Sequence, residues 1–228
     1  MTNLAKIGLL AALLANGILA AGDSTVALFQ KGVKTWDSAT LKNALAESEK
    51  ENPGSDYLFK ATCLWRMQII TFLSNDKRGV IRLGQRALDL LDSAIQKKED
   101  DYLVTARRAY VSQLLAGTSL KNGPKYGSRT AKYLDKLKKI KPDGFDTRFI
   151  DAVNLLEMPS FVGGDPNKAQ ERLAELNREF PDSSAIAISL ARAMIKNKQT
   201  EKAGAVIDEV LRKEPKNAWA KKVKKEIN

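Results

Sequence analysis

The chain has 228 residues, 43% of them apolar and 29% charged, enough for one substantial core or two small ones. Its 38 Lys and Arg outnumber 27 Asp and Glu, for a formal charge of +11. Histidine is absent and Cys63 is the single cysteine, which excludes Ser-His-Asp and Cys-His nucleophilic sites, His-ligated metals, Cys-rich zinc sites and any internal disulfide.

Lys6 is the only charge among the first 22 residues. It precedes the apolar run Ile7 to Leu19, and the small residues Ala20, Ala21 and Gly22 follow. A positive start, a short apolar stretch and a small-residue exit predict a cleavable signal peptide over residues 1–22, cut between Ala20 and Gly22. The run is short for a bilayer of about 30 Å. The expected location is therefore the periplasm or the secreted fraction. Cleavage takes only Lys6 from the charge count, leaving +10 on residues 23–228.

From residue 23 onward the apolar residues recur at helical spacing, and sustained strand alternation is missing. Ala203, Val206, Ile207, Val210 and Leu211 form one stripe; Ala169, Leu173 and Leu176 with Phe180 form another. Turn signals fall at Asn52-Pro53-Gly54, Asn122-Gly123-Pro124, Pro142-Asp143-Gly144, Gly163-Gly164-Asp165-Pro166, Pro181-Asp182 and Pro215-Lys216-Asn217. They divide the chain into about ten helices.

Pro181 and Pro215 are 34 residues apart. Superposing the segments before them matches Ala169 with Ala203, Leu173 with Ile207 and Leu176 with Val210. Leu134 and Leu137 stand before Pro142 in the same way. Ala191 and Ala203 occupy the small positions where paired helices approach closely, while Ala187 stands where a tryptophan is usual. On these residues the chain resembles tetratricopeptide-repeat proteins, over 125–228 and less regularly over 36–124. Pro53 to Pro142 spans 89 residues, too many for two standard repeats. The predicted fold is all-α, an antiparallel helix-hairpin, tetratricopeptide-like superhelical array over 23–228. A capping helix at 217–227 turns Trp219 and Val223 inward and Lys221, Lys222, Lys224 and Lys225 outward.

In Met158 to Ala169, Pro159 stops a helix, Gly163 and Gly164 allow unusual backbone angles, Asp165 is an N-cap and Pro166 a first helical residue. This reads as a long inter-helix turn, with contact of Phe161 to a ligand as the alternative. The wording Pro-x-x-x-Gly-Gly-Asp-x-x-Lys-Ala is similar to that of secreted bacterial tetratricopeptide-like proteins, among them the T component associated with tripartite ATP-independent periplasmic transporters. That resemblance implies an all-helical periplasmic array with a central concave cavity. Lys121 to Ser128 reads as a second expanded turn, with Ser128 as its N-cap and Tyr126 as a contact to a ligand in the alternative. It lacks phosphate-loop spacing.

Counted from Pro53, Cys63 takes the same close-contact position as Ala191, so a buried thiol is expected. Basic residues concentrate between Lys121 and Lys141 and in the last helix, a solvated face or an attraction to an acidic or membrane-associated partner. Secretion and the lack of interleaved aromatics argue against nucleic acid. Asp146, Asp151 and Glu157 share one helix, but Asp146 and Glu157 are about 16 Å apart along it, too far for an acid/base pair. No catalytic residue, cofactor or metal is expected.

The repeat frame puts the first helix of each hairpin on the concave face. It predicts Tyr57, Lys60, Leu64, Met67 and Gln68 there in the first unit. It adds Asp146, Phe149, Val153, Leu156 and Glu157 in a later one, and Ile188, Arg192, Ile195 and Lys196 in the last. With Phe161, the residues Tyr57, Lys60, Met67, Phe149, Val153, Ile188 and Arg192 form the candidate partner site. Such an apolar face either binds an apolar segment or small molecule or is covered by the helix around Val26 to Trp36. The expected function is an exported non-enzymatic scaffold or adaptor for a protein partner; the alternative is a transporter-associated component holding an apolar small ligand in a central cavity.

Overall fold

The computed structural model describes residues 22–227. The predicted signal peptide lies outside the described residues, apart from Gly22. Among the described residues eleven α-helices carry the chain: α1 (Asp23–Thr35), α2 (Ser38–Glu51), α3 (Tyr57–Leu73), α4 (Lys77–Gln96), α5 (Asp101–Ala116), α6 (Asn122–Ile140), α7 (Phe145–Glu157), α8 (Pro166–Glu179), α9 (Ser184–Lys196), α10 (Thr200–Lys213) and α11 (Ala218–Ile227). A 3-10 turn, Ser160–Val162, separates α7 from α8. Among the same residues there is no strand, and no helix is long and apolar enough to cross a membrane. The chain folds as two compact units, 22–142 and 143–227 within the described range.

In the unit 22–142, α1/α2, α3/α4 and α5/α6 are antiparallel hairpins, and α3 also packs on α2 and α5. Phe29 of α1 meets Phe59 of α3 edge to face at 5.5 Å between ring centroids, and both are fully enclosed with Leu41, Leu64, Leu91 and Leu115. Ala44, Ala61, Ala87 and Ala109 are buried between them, which lets the helix axes approach closely. Gly84 serves the same end: a Cβ there would run into the Gln68 amide and the Leu115 side chain. The excess length between Pro53 and Pro142 is absorbed by long helices, since α4 has 20 residues and α6 has 19.

Helix ends in this unit are closed by carboxylates. Asp37 accepts from the Ala39 and Thr40 amides at 3.0 and 3.2 Å, and Asp76 accepts from Gly79 N–H at 2.9 Å. Asp56, before α3, has φ 56° and makes no side-chain cap. The cap comes from Glu99, on the link between α4 and α5. It accepts from Tyr57 N–H at 3.0 Å and Leu58 N–H at 2.8 Å. Likewise Glu51 accepts from the Gly22 amide and the Thr25 hydroxyl at the start of α1.

Four helices end in the left-handed conformation without glycine, at Trp36, Asn75, Lys98 and Lys198. In each, the next amide reaches back five residues: Asp37 to Gly32 O, Asp76 to Thr71 O, Glu99 to Ala94 O and Gln199 to Met194 O. The sequence turn signals therefore miss these breaks. The reverse error concerns Lys121 to Ser128. The break lies at 117–121, α6 already begins at Asn122, Tyr126 is buried, and Ser128 is a helix-interior residue, not an N-cap. Pro124 fits because a first-turn residue needs no amide hydrogen.

In the unit 143–227, α7/α8 and α9/α10 are hairpins and α11 closes the stack on α10 and α9. The repeat pairs are buried as their spacing predicts: Ala169 and Ala203, Leu173 and Ile207, Leu176 and Val210. Asn217 accepts from Ala220 N–H at 3.0 Å and starts α11, whose Val223 is buried and whose Lys221 is exposed. The α7–α8 turn follows the sequence reading. Pro159 ends α7, Gly163 has φ 98°, and Asp165 accepts from Asn167 and Lys168 N–H, both at 3.1 Å. Gly164 has its own constraint: a Cβ there would overlap the Met158 carbonyl.

Replacing Gly164 with Ala is expected to cost about 3 kcal/mol in a urea titration, since the clash is with backbone. An unshifted midpoint contradicts this close approach. Lys198→Gly is expected to stabilise by about 0.5–1 kcal/mol, because Lys198 is exposed and its left-handed conformation is strained. A lowered melting temperature would refute the strain. Cys63 is fully buried, and burial pushes its thiol pKa well above the usual range. A thiol-exchange reagent should therefore label the native chain only at the rate of opening, with full labelling in denaturant. Immediate native labelling would place the thiol elsewhere.

Candidate functional site

The first helices of the hairpins do not present all the residues expected on them. Lys60 is 2% exposed. Its ammonium donates to the carbonyls of Asn52 and, at 2.7 Å, Ser55, tying down the α2–α3 link. Leu64 and Gln68 are also interior, with the Gln68 amide donating to Val80 O at 3.2 Å. In the repeat count Lys60 matches Ile188 and Cys63 matches Ala191, and all four are buried, so these first-helix positions serve the core in both units. Tyr57 and Met67 are half-buried, with the Lys60 ammonium 5.6 Å from the Tyr57 ring centroid.

Phe149 and Ile188 are core residues and offer no wall to a ligand. Phe149, 8% exposed, stacks on Phe145 at 5.8 Å, and Phe145 meets Phe180 edge to face at 5.0 Å. Ile188 lies among Ala191, Ala203 and Ile207. Val153, Arg192 and Ile195 keep accessible surface. Arg192 of α9 pairs with Glu157 of α7 at 2.5 Å, and the Lys196 ammonium donates to Leu156 O beside it. The last turns of α7 and α9 are thereby fastened together. Phe161 is 87% exposed, with Met158 and Val162 also exposed at the turn.

The carboxylates are occupied. Asp151 pairs with Arg172 of α8 and Glu157 with Arg192 of α9. Among the described residues no three His, Cys, Asp or Glu side chains cluster as a metal would need.

The sequence reading missed a cluster between α3 and α5. Trp65 stacks on Tyr110 at 5.1 Å, and the Arg107 guanidinium lies 4.1 Å from the Trp65 ring centroid. Arg66 approaches the same ring at 5.2 Å, and Arg108 approaches Tyr133 while pairing with Asp92. Arginine over aromatic faces is a favourable arrangement that keeps part of each cation accessible. The available signal was Trp65-Arg66 beside Arg107-Arg108, but the register counted from Pro53 turned it away from the candidate face. Nearby, Gly32, Val33, Trp36, Leu41, Arg66, Ile69 and Ile70 border a depression with room for about one water molecule. The N-terminal helix thus occupies the surface beside the end of α3.

Residues 163–227 match the tetratricopeptide repeat family. The chain is similar in structure to a thermophilic tetratricopeptide-repeat protein of Thermus thermophilus. The TM-score is 0.59 and the identity 14%, over 89% of this chain and 98% of that one. No curated protein matches the chain in sequence. Over its described residues the chain is an all-α helical repeat array, a fold suited to protein–protein interaction scaffolds, and its last four helices carry the recognised tetratricopeptide repeat.

Proposed function

We propose that the protein is an exported, non-enzymatic scaffold that holds a protein partner on the face made by the first helices of its hairpins. The observation that carries this reading is the half-buried Trp65 with Arg66 and Arg107 around it, on α3 and α5. Trp and Arg dominate the energetics of protein interfaces, because each combines a large apolar area with directed polar contacts. Within the unit 143–227, Val153 and Ile195 flank the Arg192–Glu157 pair, a mixed surface of the same kind. The ion-paired carboxylates and the absent histidine support holding over chemistry. Residues 1–22 support export and a periplasmic or secreted location.

A photo-crosslinking side chain at Ile69, half-buried on the Trp65 face of α3, should trap a discrete protein adduct in intact producing cells. The same group at the exposed Gln85 of α4 should not. Equal adducts at both positions, or none at either, would defeat the scaffold reading. Mass measurement of the trapped chain tests export separately, since a chain retaining residues 1–19 contradicts cleavage.

A further inference from the structure

In the unit 22–142 the three hairpin turns lie at one end. Trp36 of the α1–α2 turn shares a depression with Ile69 and Ile70 near the end of α3. A Cβ on Gly117, in the α5–α6 turn, would sit 3.1 Å from the Phe72 ring beside the α3–α4 turn. The Glu99 cap on α3 and the Lys136–Asp101 pair belong to the opposite end.

The turn end is predominantly cationic. Lys34, Lys77, Arg78, Lys121 and Lys125 are all exposed within about one helical turn of it. Its two acids, Asp37 and Asp76, keep accessible surface but spend their oxygens on helix amides, and the five cations leave the end net positive. Leu120, 98% exposed, projects between Lys121 and the rest of the α5–α6 turn. That turn is firmly built: Gly123 N–H donates to Ser119 O at 2.9 Å, and the Asn122 amide donates to the Thr118 hydroxyl at 2.7 Å. Leu120 is therefore displayed on a fixed backbone, not left over at a loose tip.

From this arrangement we infer that the turn end of 22–142 docks on an anionic phospholipid surface. The lysines and arginines meet the headgroup charges, and Leu120 enters the acyl boundary. Charge complementarity selects the anionic lipid: five cations spread over three adjacent turns suit a plane of negative charge. Basic residues near such a surface each add attraction, and one apolar insertion adds depth.

The test uses the full chain carrying Leu120→Cys labelled with an environment-sensitive dye, the native Cys63 being buried. Vesicles of phosphatidylglycerol with phosphatidylcholine should shift the emission to the blue, and added salt should reverse it. Vesicles of phosphatidylcholine alone should leave it unchanged. Adding Lys121→Gln and Lys125→Gln should weaken the anionic-vesicle titration about thirty-fold, at about one kcal/mol per charge. Lys97→Gln with Lys139→Gln removes equal charge from the exposed opposite end of the same unit and should change it less than about two-fold. An equal shift on neutral vesicles, or equal weakening by the two charge pairs, overturns the inference. No vesicle shift, with polyglutamate binding instead, also overturns it and assigns the surface to an acidic protein.

Discussion

The carboxylate of Glu99 holds the start of α3, and the first unit is organised around that helix. A helix begins with amides that have no partner in its own turn, and Asp56 does not supply one here. Glu99 supplies two acceptors from the link leading into α5, so the α3/α4 hairpin is closed by the polypeptide that starts the next hairpin. Lys60 then closes the preceding link by donating to Asn52 and Ser55 carbonyls. With both ends of the local chain fixed, α3 can bury Phe59, Leu64 and Cys63 while keeping Trp65 at the surface. The position of the arginine–tryptophan cluster depends on this anchoring.

The last repeats were the most legible in sequence. Ala169, Leu173 and Leu176 find their counterparts 34 residues later, and both sets are buried, because that unit keeps the standard hairpin length. Asp165, Pro166 and Gly163 likewise act through local backbone chemistry that residue type alone reveals. The first unit was harder to read for two physical reasons. Its helices α1, α3 and α4 end on Trp36, Asn75 and Lys98 in the conformation where glycine is usual, so composition gives no break. Lys60 is the second case: residue type reads it as a surface cation, while its ammonium is enclosed by the Asn52 and Ser55 carbonyls. Phe149 and Ile188 misled differently: apolar residues at first-helix positions are as well suited to the core as to a binding face.

Charge is arranged in two different ways across the molecule. In the last repeats it is used between helices, where Arg148 grips Glu179 through two hydrogen bonds of 2.7 and 2.5 Å and Arg172 holds Asp151. Such pairs set helix register. At the turn end of the first unit the acids are used on helix amides, and the cations are left facing outward. The same composition thus serves packing in one place and long-range attraction in another.

Within each unit, every helix packs on helices no more than two places away in sequence. The contacts are consequently short in chain separation, and forming them requires the closure of only small loops. Such a chain can acquire structure progressively from one end, each hairpin offering a template to the next as it becomes available. Packing order and the order of emergence during synthesis therefore coincide, which shortens the interval in which an apolar stripe lacks a neighbour.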